Sequence, residues 1–461
     1  MLIKKISVLL AVFLLLCGLS GCSVQLPGTD SLLRPPNPSS EEQSIQQAIF
    51  DKLGKQPLLC YPKRGEHRAA ITMHDIDADG IDEAVVFFRE VADSPNITLA
   101  VLSKANGRWS VAGTVIGEGN DVDRVDFCRI NASQAGNQIV VGWNVGTGNK
   151  ILSIYDFLSG VLSPINIDDS LTEKDRVSLS NYTEYSLVDI EGDGNAEICT
   201  VILNPAEIQA YCSILKLYTE ETGTSFFQKS GGCELNSGVT RYAQICSGYI
   251  SVGRSAVFLD GYLSSDVMIT EIITLDKNTG NVYTPLNQPA NGVYVSTERS
   301  SLILCRDINS DDIVEIPFSE TLPGYEDTSS RVTSLTAWHV FDSTAGEISK
   351  EASVSTILNE PDGYMFILPN EWRGKVTVKY DQKTKIMYFH EVSANSDGKN
   401  VFGDELFRIA VFDSKNSTLL SSSGYMILSE NRNFVYTAFI TKKNPSLDIT
   451  PSRLKLCFAE M

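Results

Sequence analysis

Histidine is scarce, with only His67, His74, His339 and His390 in 461 residues. None stands in an HExxH pattern or at ligand spacing from another, and FHEVS at 389–393 reads as a strand, so a zinc-hydrolase helix is excluded. His74 adjoins an acidic loop and reads as a strand-end side chain. No CxxC is present, which removes the common structural zinc and dithiol sites. No GxSxG, P-loop or GxGxxG stands between a strand and a helix, and GTGNK at 146–150 is a hairpin turn. Basic residues are also few: 38 Lys and Arg face 57 Asp and Glu, a formal charge of −19. Nucleic acid is excluded as a partner, because its binding depends on neutralising phosphates, whereas divalent cations are favoured. The four tryptophans, Trp109, Trp143, Trp338 and Trp372, would make a sugar platform only if exposed, and the first two sit in strand-like runs.

What is there begins with one targeting segment. Lys4 and Lys5 precede ISVLLAVFLLLCG, an apolar run too short for a comfortable membrane span. It ends in LSGC, Leu19 to Cys22, which resembles the lipobox of bacterial lipoproteins. That resemblance implies cleavage before Cys22, diacylation of its thiol and a lipid anchor on the extracytoplasmic face of the cell membrane. Residues 1–22 are therefore read as a lipoprotein signal peptide, and the Pro- and Ser-rich stretch 23–41 as a flexible tether. SSEEQSIQQAIFDKL then predicts a short helix with Ile45, Ala48, Ile49 and Leu53 on one face. The eight cysteines beyond Cys22 lie mostly in apolar runs such as EICTVIL, where the free thiol behaves as a small hydrophobe.

Three acidic stretches recur: HDIDADGIDEAVVFF at 74–88, VDIEGDGNAEICTVIL at 188–203 and RDINSDDIVEIPF at 306–318. Their closing glutamates, Glu83, Glu197 and Glu315, are 114 and 118 residues apart, about twice 58. Weaker copies fall halfway, with Gln138 and Ser255 in the corresponding places. Five units of 55 to 60 residues thus tile residues 66–358, each divided into short strands by turn residues. Four strands at a constant period predict a mainly β fold, a β-propeller-like array of about five four-stranded blades. If so, Val85, Val140, Cys199, Val257 and Ile316 occupy equivalent depths in successive blades.

Calcium takes six to eight oxygens, and alternate residues of a curling loop can supply them. The expected ligands are Asp75, Asp77, Asp79, the Ile81 carbonyl and Glu83 in the first loop. The second would use Asp189, Glu191, Asp193, Asn195 and Glu197, and the third Asp307, Asn309, Asp311 and Glu315, with Asp312 standing where the others have glycine. The competing reading is a metal-free turn held by Asx hydrogen bonds. An EF-hand is excluded, since its twelfth position would be Val86, Thr200 or Phe318 and the flanks are strands. The loops resemble those of FG-GAP/VCBS repeats, found in integrin-type propellers and bacterial surface proteins.

The period breaks near 359. Strand-like runs follow, and ITPSRLKLCF predicts a final helix capped by Thr450 with Pro451 first. ILPNEWRGKVTV is similar to a C-terminal module of uncharacterised lipoproteins from clostridia-like bacteria. The expected organisation is a propeller with its N-terminal helix over 42–358 and a small α+β module over 359–461. No catalytic constellation emerges. The expectation is a membrane-anchored binding or scaffold lipoprotein stabilised by Ca2+, not an enzyme, with a protein or glycan ligand. The alternative is a polysaccharide-acting enzyme on the same scaffold.

Overall fold

The strand Glu83–Arg89 shows why its sequence is apolar at every step instead of every second one. Val85 and Phe87 enter one core with Leu99, Val101 and Trp143, whereas Ala84, Val86 and Phe88 enter another with Ile45 and Ile49. A strand buried on both faces has no solvent side to make polar. This computed structural model describes residues 39–461 apart from 92–93, 133, 147, 168–180, 222–224, 288–294, 327–333, 416–423, 443 and 445. Cys22, the signal segment and the tether up to residue 38 lie outside the described residues.

The chain is mainly β, a propeller-like array of sheets taken in chain order and antiparallel except where Asn166–Ile167 pairs in parallel with Ser225–Glu234. The first sheet spans Leu58–Cys60 to Arg108–Ile116, the second Asp121–Cys128 to Val161–Pro164. The third runs from Asn166–Ile167 to Ser225–Glu234 and the fourth from Arg241–Ser251 to Val282–Tyr283. The units without acidic loops therefore build sheets of their own, as the period requires. Val85, Val140, Cys199, Val257 and Ile316 sit in five different sheets and each is at most 1% exposed. Apolar clusters join first sheet to second, second to third, third to fourth and fourth to fifth.

The outer face of the first sheet is covered by the helix Ser40–Leu53. Ser39 and Glu42 form a reciprocal capping box, and Gly54 ends the helix with φ 67°. Ile45 and Ile49 are buried against Ile71, Val86, Phe88 and Leu102, while Ala48 and Leu53 are partly buried.

The fifth sheet crosses the expected boundary at 358. Ile316–Thr321, Ser334–His339 and Val354–Asn359 continue into Tyr364–Ile367, whose far edge pairs with Phe458–Glu460. The sixth sheet, Val376–Asp381 to Phe434–Ile440, packs on it through an aromatic core. Trp372 is fully buried there with Nε1 donating to the Leu447 carbonyl at 2.7 Å, and the Phe389 and Phe407 rings stack 4.1 Å apart. Helix Pro451–Leu456 has the expected Thr450 cap. The described cysteines are free thiols, with the sulfurs of Cys212 and Cys233 facing across paired strands at 3.3 Å.

Candidate metal centre

The first two acidic loops each join a pair of adjacent antiparallel strands, the third leads into Ile316–Thr321, and one hydrogen bond recurs in all three. The buried Glu83 opens its strand and its Oε2 accepts the Ile76 amide at 3.1 Å; Glu197 takes the Ile190 amide at 3.0 Å and Glu315 the Ile308 amide at 3.0 Å. In the second sheet Gln138 Oε1 does the same for Ile130 and Asn131, at 2.7 and 2.9 Å. The four isoleucines are core residues. The side chain at the end of the motif is therefore first a latch, pinning the loop entrance over the core whether or not a metal is bound. The isoleucine after the first residue of each loop is a sequence signal that the ligand-centred reading passes over.

The first aspartate folds the loop. Asp75 accepts the amides of Asp79 and Gly80 at 3.1 and 3.0 Å, and Asp307 those of Asp311 and Asp312 at 3.1 and 2.8 Å. Asp189 takes Gly192, Asp193 and Gly194 at 2.6, 3.0 and 2.8 Å. Each loop passes twice through the left-handed region, at Ala78 and Gly80, Gly192 and Gly194, and Ser310 and Asp312. Asp312 takes φ 70° where glycine stands in the other two, a conformation aspartate tolerates through its short polar side chain.

With that frame shared, the three loops differ in what faces the carboxylates. In the first, Asp75, Asp77 and Glu83 bring carboxylate oxygens within 4.8 Å of one another. Among the described residues no lysine or arginine pairs with them. Burial, then the neighbouring aspartates, pushes Glu83 up to about 7, and burial with Asp79 raises Asp77. Asp79 turns to its own loop, accepting the Ile81 amide at 2.8 Å, and stands outside the converging trio. The Ile81 side chain is exposed.

In the second loop Glu191, Asp193 and Glu197 converge similarly, but Lys216 Nζ lies 2.5, 3.1 and 3.7 Å from them. Burial raises Glu197 to about 7. Burial opposes ionisation of Asp193, yet the Asn195 amide and Lys216 outweigh it and hold its carboxyl below the usual range. Of the expected ligands, Asp189 is taken up by three loop amides, whereas Asn195 donates its nitrogens to Asp193 Oδ1 and keeps its own Oδ1 buried without a partner among the described residues. In the third, the Asn309 amide nitrogen donates to Asp311 at 3.0 Å and to Glu315 at 3.1 Å, and Ser353 Oγ donates to Glu315 at 3.0 Å. Burial raises Glu315 as well. Asn309 thus turns its donor, not its oxygen, toward the glutamate.

Lys216, Ser353 and Asp156 are the residues that loop-by-loop reading misses. Lys216 lies one step beyond the Leu215–Ile198 pair, opposite Glu197, and Asp156 one step beyond Tyr155–Ile139, opposite Gln138, whose amide it binds at 2.9 Å. The available signal was a lone lysine inside the apolar SILKLY. The remaining candidates are structural. His74 stacks on Phe127 at 4.3 Å and meets the Asn137 amide at 3.0 Å. All four tryptophans are buried, so no tryptophan platform exists.

Neither a protein-family model nor a curated protein matches the sequence. Among solved structures the chain is similar to a protein of unknown function from Dyadobacter fermentans, at 10% identity over 83% of this chain and 98% of that one, TM-score 0.31. It is also similar to the Dos1 propeller, at 8% identity, 84% and 83% coverage and TM-score 0.29. A third is a GH43 β-1,3-galactosidase with galactodeoxynojirimycin, at 9% identity, 75% and 97% coverage and TM-score 0.26. The architecture accordingly rests on the chain's own sheets.

Proposed function

We propose that the protein is an extracytoplasmic lipoprotein, held by acylated Cys22, whose array is a binding scaffold stabilised by calcium at the first acidic loop. The single observation that carries the metal reading is the contrast between sister loops. Two of them supply their own donor, Lys216 or Asn309, whereas Asp75, Asp77 and Glu83 meet no lysine or arginine among the described residues. Three carboxylates offer the hard oxygen ligands calcium takes, and the ion would neutralise their repulsion and tie loop to strand. The FG-GAP/VCBS likeness of the loops agrees with this role. It assigns stabilisation, with binding and not catalysis as the activity.

A ligand that binds only the native state adds about 2.7 kcal/mol at a hundredfold excess over Kd. Melting of the purified protein should rise with calcium and fall with chelator. Asp77→Ala should abolish that response and Asp193→Ala should keep it. A parent protein indifferent to calcium would reduce all three loops to turns.

The anchor has its own test. Cys22→Ala should release the protein from the membrane fraction into the medium of a bacterial host, because the acyl chains contribute about 0.8 kcal/mol per buried methylene. Unchanged membrane association would make the apolar run itself the anchor.

A further inference from the structure

In the third sheet the acidic loop joins the Val188 and Glu197 ends of two strands, and a groove opens at the other end. Its wall there is Glu184, Leu203, Asn204 and Gln209, with Asn204 and Gln209 facing each other across the hairpin. Lys150 of the second sheet and Arg241 and Tyr242 of the fourth complete it, enclosing about 790 Å3. That volume lies in the range of small-ligand sites.

The charges of the groove cancel in a chain of formal charge −19. Lys150 and Arg241 balance Glu184 and Glu207. The inner ones are also committed: Arg64 binds Glu184 at 2.6 Å and Asp123 at 2.8 Å, and Lys150 lies 3.3 Å from Asp123. Tyr182 donates to the same aspartate at 3.1 Å. Arg241 lies over the Tyr262 ring, 3.6 Å from its centroid. An ionic ligand finds no surplus charge of either sign.

Hydrogen-bonding capacity is in surplus. The side-chain amides of Asn149, Asn181, Asn204 and Gln209 line the groove, and among the described residues none of them bonds to protein. Each amide can both donate and accept. Two half-buried tyrosines stand beside them with their hydroxyls anchored, Tyr211 accepting from Lys229 at 3.0 Å and Tyr242 donating to Glu271 at 3.3 Å. Ile202 and Leu203 are the aliphatic side chains of the lining. Paired donor and acceptor groups suit vicinal hydroxyls, ring surface suits the C–H face of a pyranose, and little here would hold an aliphatic chain.

We propose that this groove binds a neutral oligosaccharide. The proposal deepens the binding-scaffold reading and gives that scaffold a ligand class and a place. Calorimetric titration of the purified full chain with cellohexaose, xylohexaose and mannohexaose should show binding of at least one. Gln209→Ala and Asn204→Ala should each weaken it at least tenfold, about 1.4 kcal/mol, without lowering the melting temperature. Hexagalacturonate and a neutral Gly-Ser hexapeptide should not bind. Failure of all three neutral sugars at about 10 mM, where a productive site of this size would be part-filled, overturns the proposal. So does tighter binding of hexagalacturonate or the peptide, or unchanged affinity in both variants. Asp77→Ala, at the opposite end of a different sheet, should lose its calcium response and keep its sugar affinity, so the metal reading and the groove fail separately.

Discussion

Lys216→Met should destabilise the protein by about 3 kcal/mol, and calcium should restore most of the loss. Methionine keeps the unbranched stem but removes the ammonium that lies within 4 Å of Glu191, Asp193 and Glu197. Glu197 is buried with its carboxyl already raised to about 7, so losing the ammonium tips it toward the protonated form, and Asp193 is held ionised in part by that lysine. What remains is a second trio of converging carboxylates, at the loop positions of Asp77, Asp79 and Glu83. Denaturant melts in chelator and in excess calcium check both halves. A loss below about 1 kcal/mol, the value of an ordinary surface pair, would mean that the lysine only decorates the loop. A full loss that calcium leaves untouched would mean that the loop geometry does not admit the ion.

Ile45→Asp should cost about 4 kcal/mol or more and drive self-association. Ile45 is completely buried between the helix and the first sheet, and its neighbours there include Ile71, Val86, Phe88 and Leu102. An aspartate in that position must either ionise without a partner or push the helix away, and lifting the helix bares a contiguous apolar face. Ile45→Val, by contrast, should cost about 1 kcal/mol and leave the protein monodisperse. Chemical denaturation with size-exclusion chromatography tests the pair. If the aspartate variant unfolds like the parent and elutes unchanged, the helix is not the cover of that sheet.

Those two residues mark what sequence could and could not reveal. The helix was legible because a capping serine, first-turn acids and an i, i+4 isoleucine pair all lie within one short stretch. The sheets were legible through the recurrence of DxDxDGxxE before an apolar run, including Gln138 in a unit without an acidic loop. Lys216 was not, because what places it opposite Glu197 is strand register, a property of two segments that neither shows alone. The role of the closing glutamate was half visible: its oxygens suit a metal, but its bond to the isoleucine amide needs the turn in three dimensions. The groove was invisible for a stronger reason. Lys150, Asn204 and Arg241 belong to three sheets, and nothing in their local sequences marks them as parts of one site. The sequence period ends at 358, yet sheet pairing runs on through Tyr364–Ile367.

That pairing also sets an order of assembly. Tyr364 and Glu460 are partners 96 residues apart, whereas each of the first four sheets is built from one unbroken stretch of sequence. A nascent chain can complete those four as each stretch emerges, in the way that local units fold ahead of distant ones. The fifth sheet keeps an unpaired edge until residue 460 has emerged, and premature termination in the last turn of synthesis leaves that edge open to a neighbouring chain.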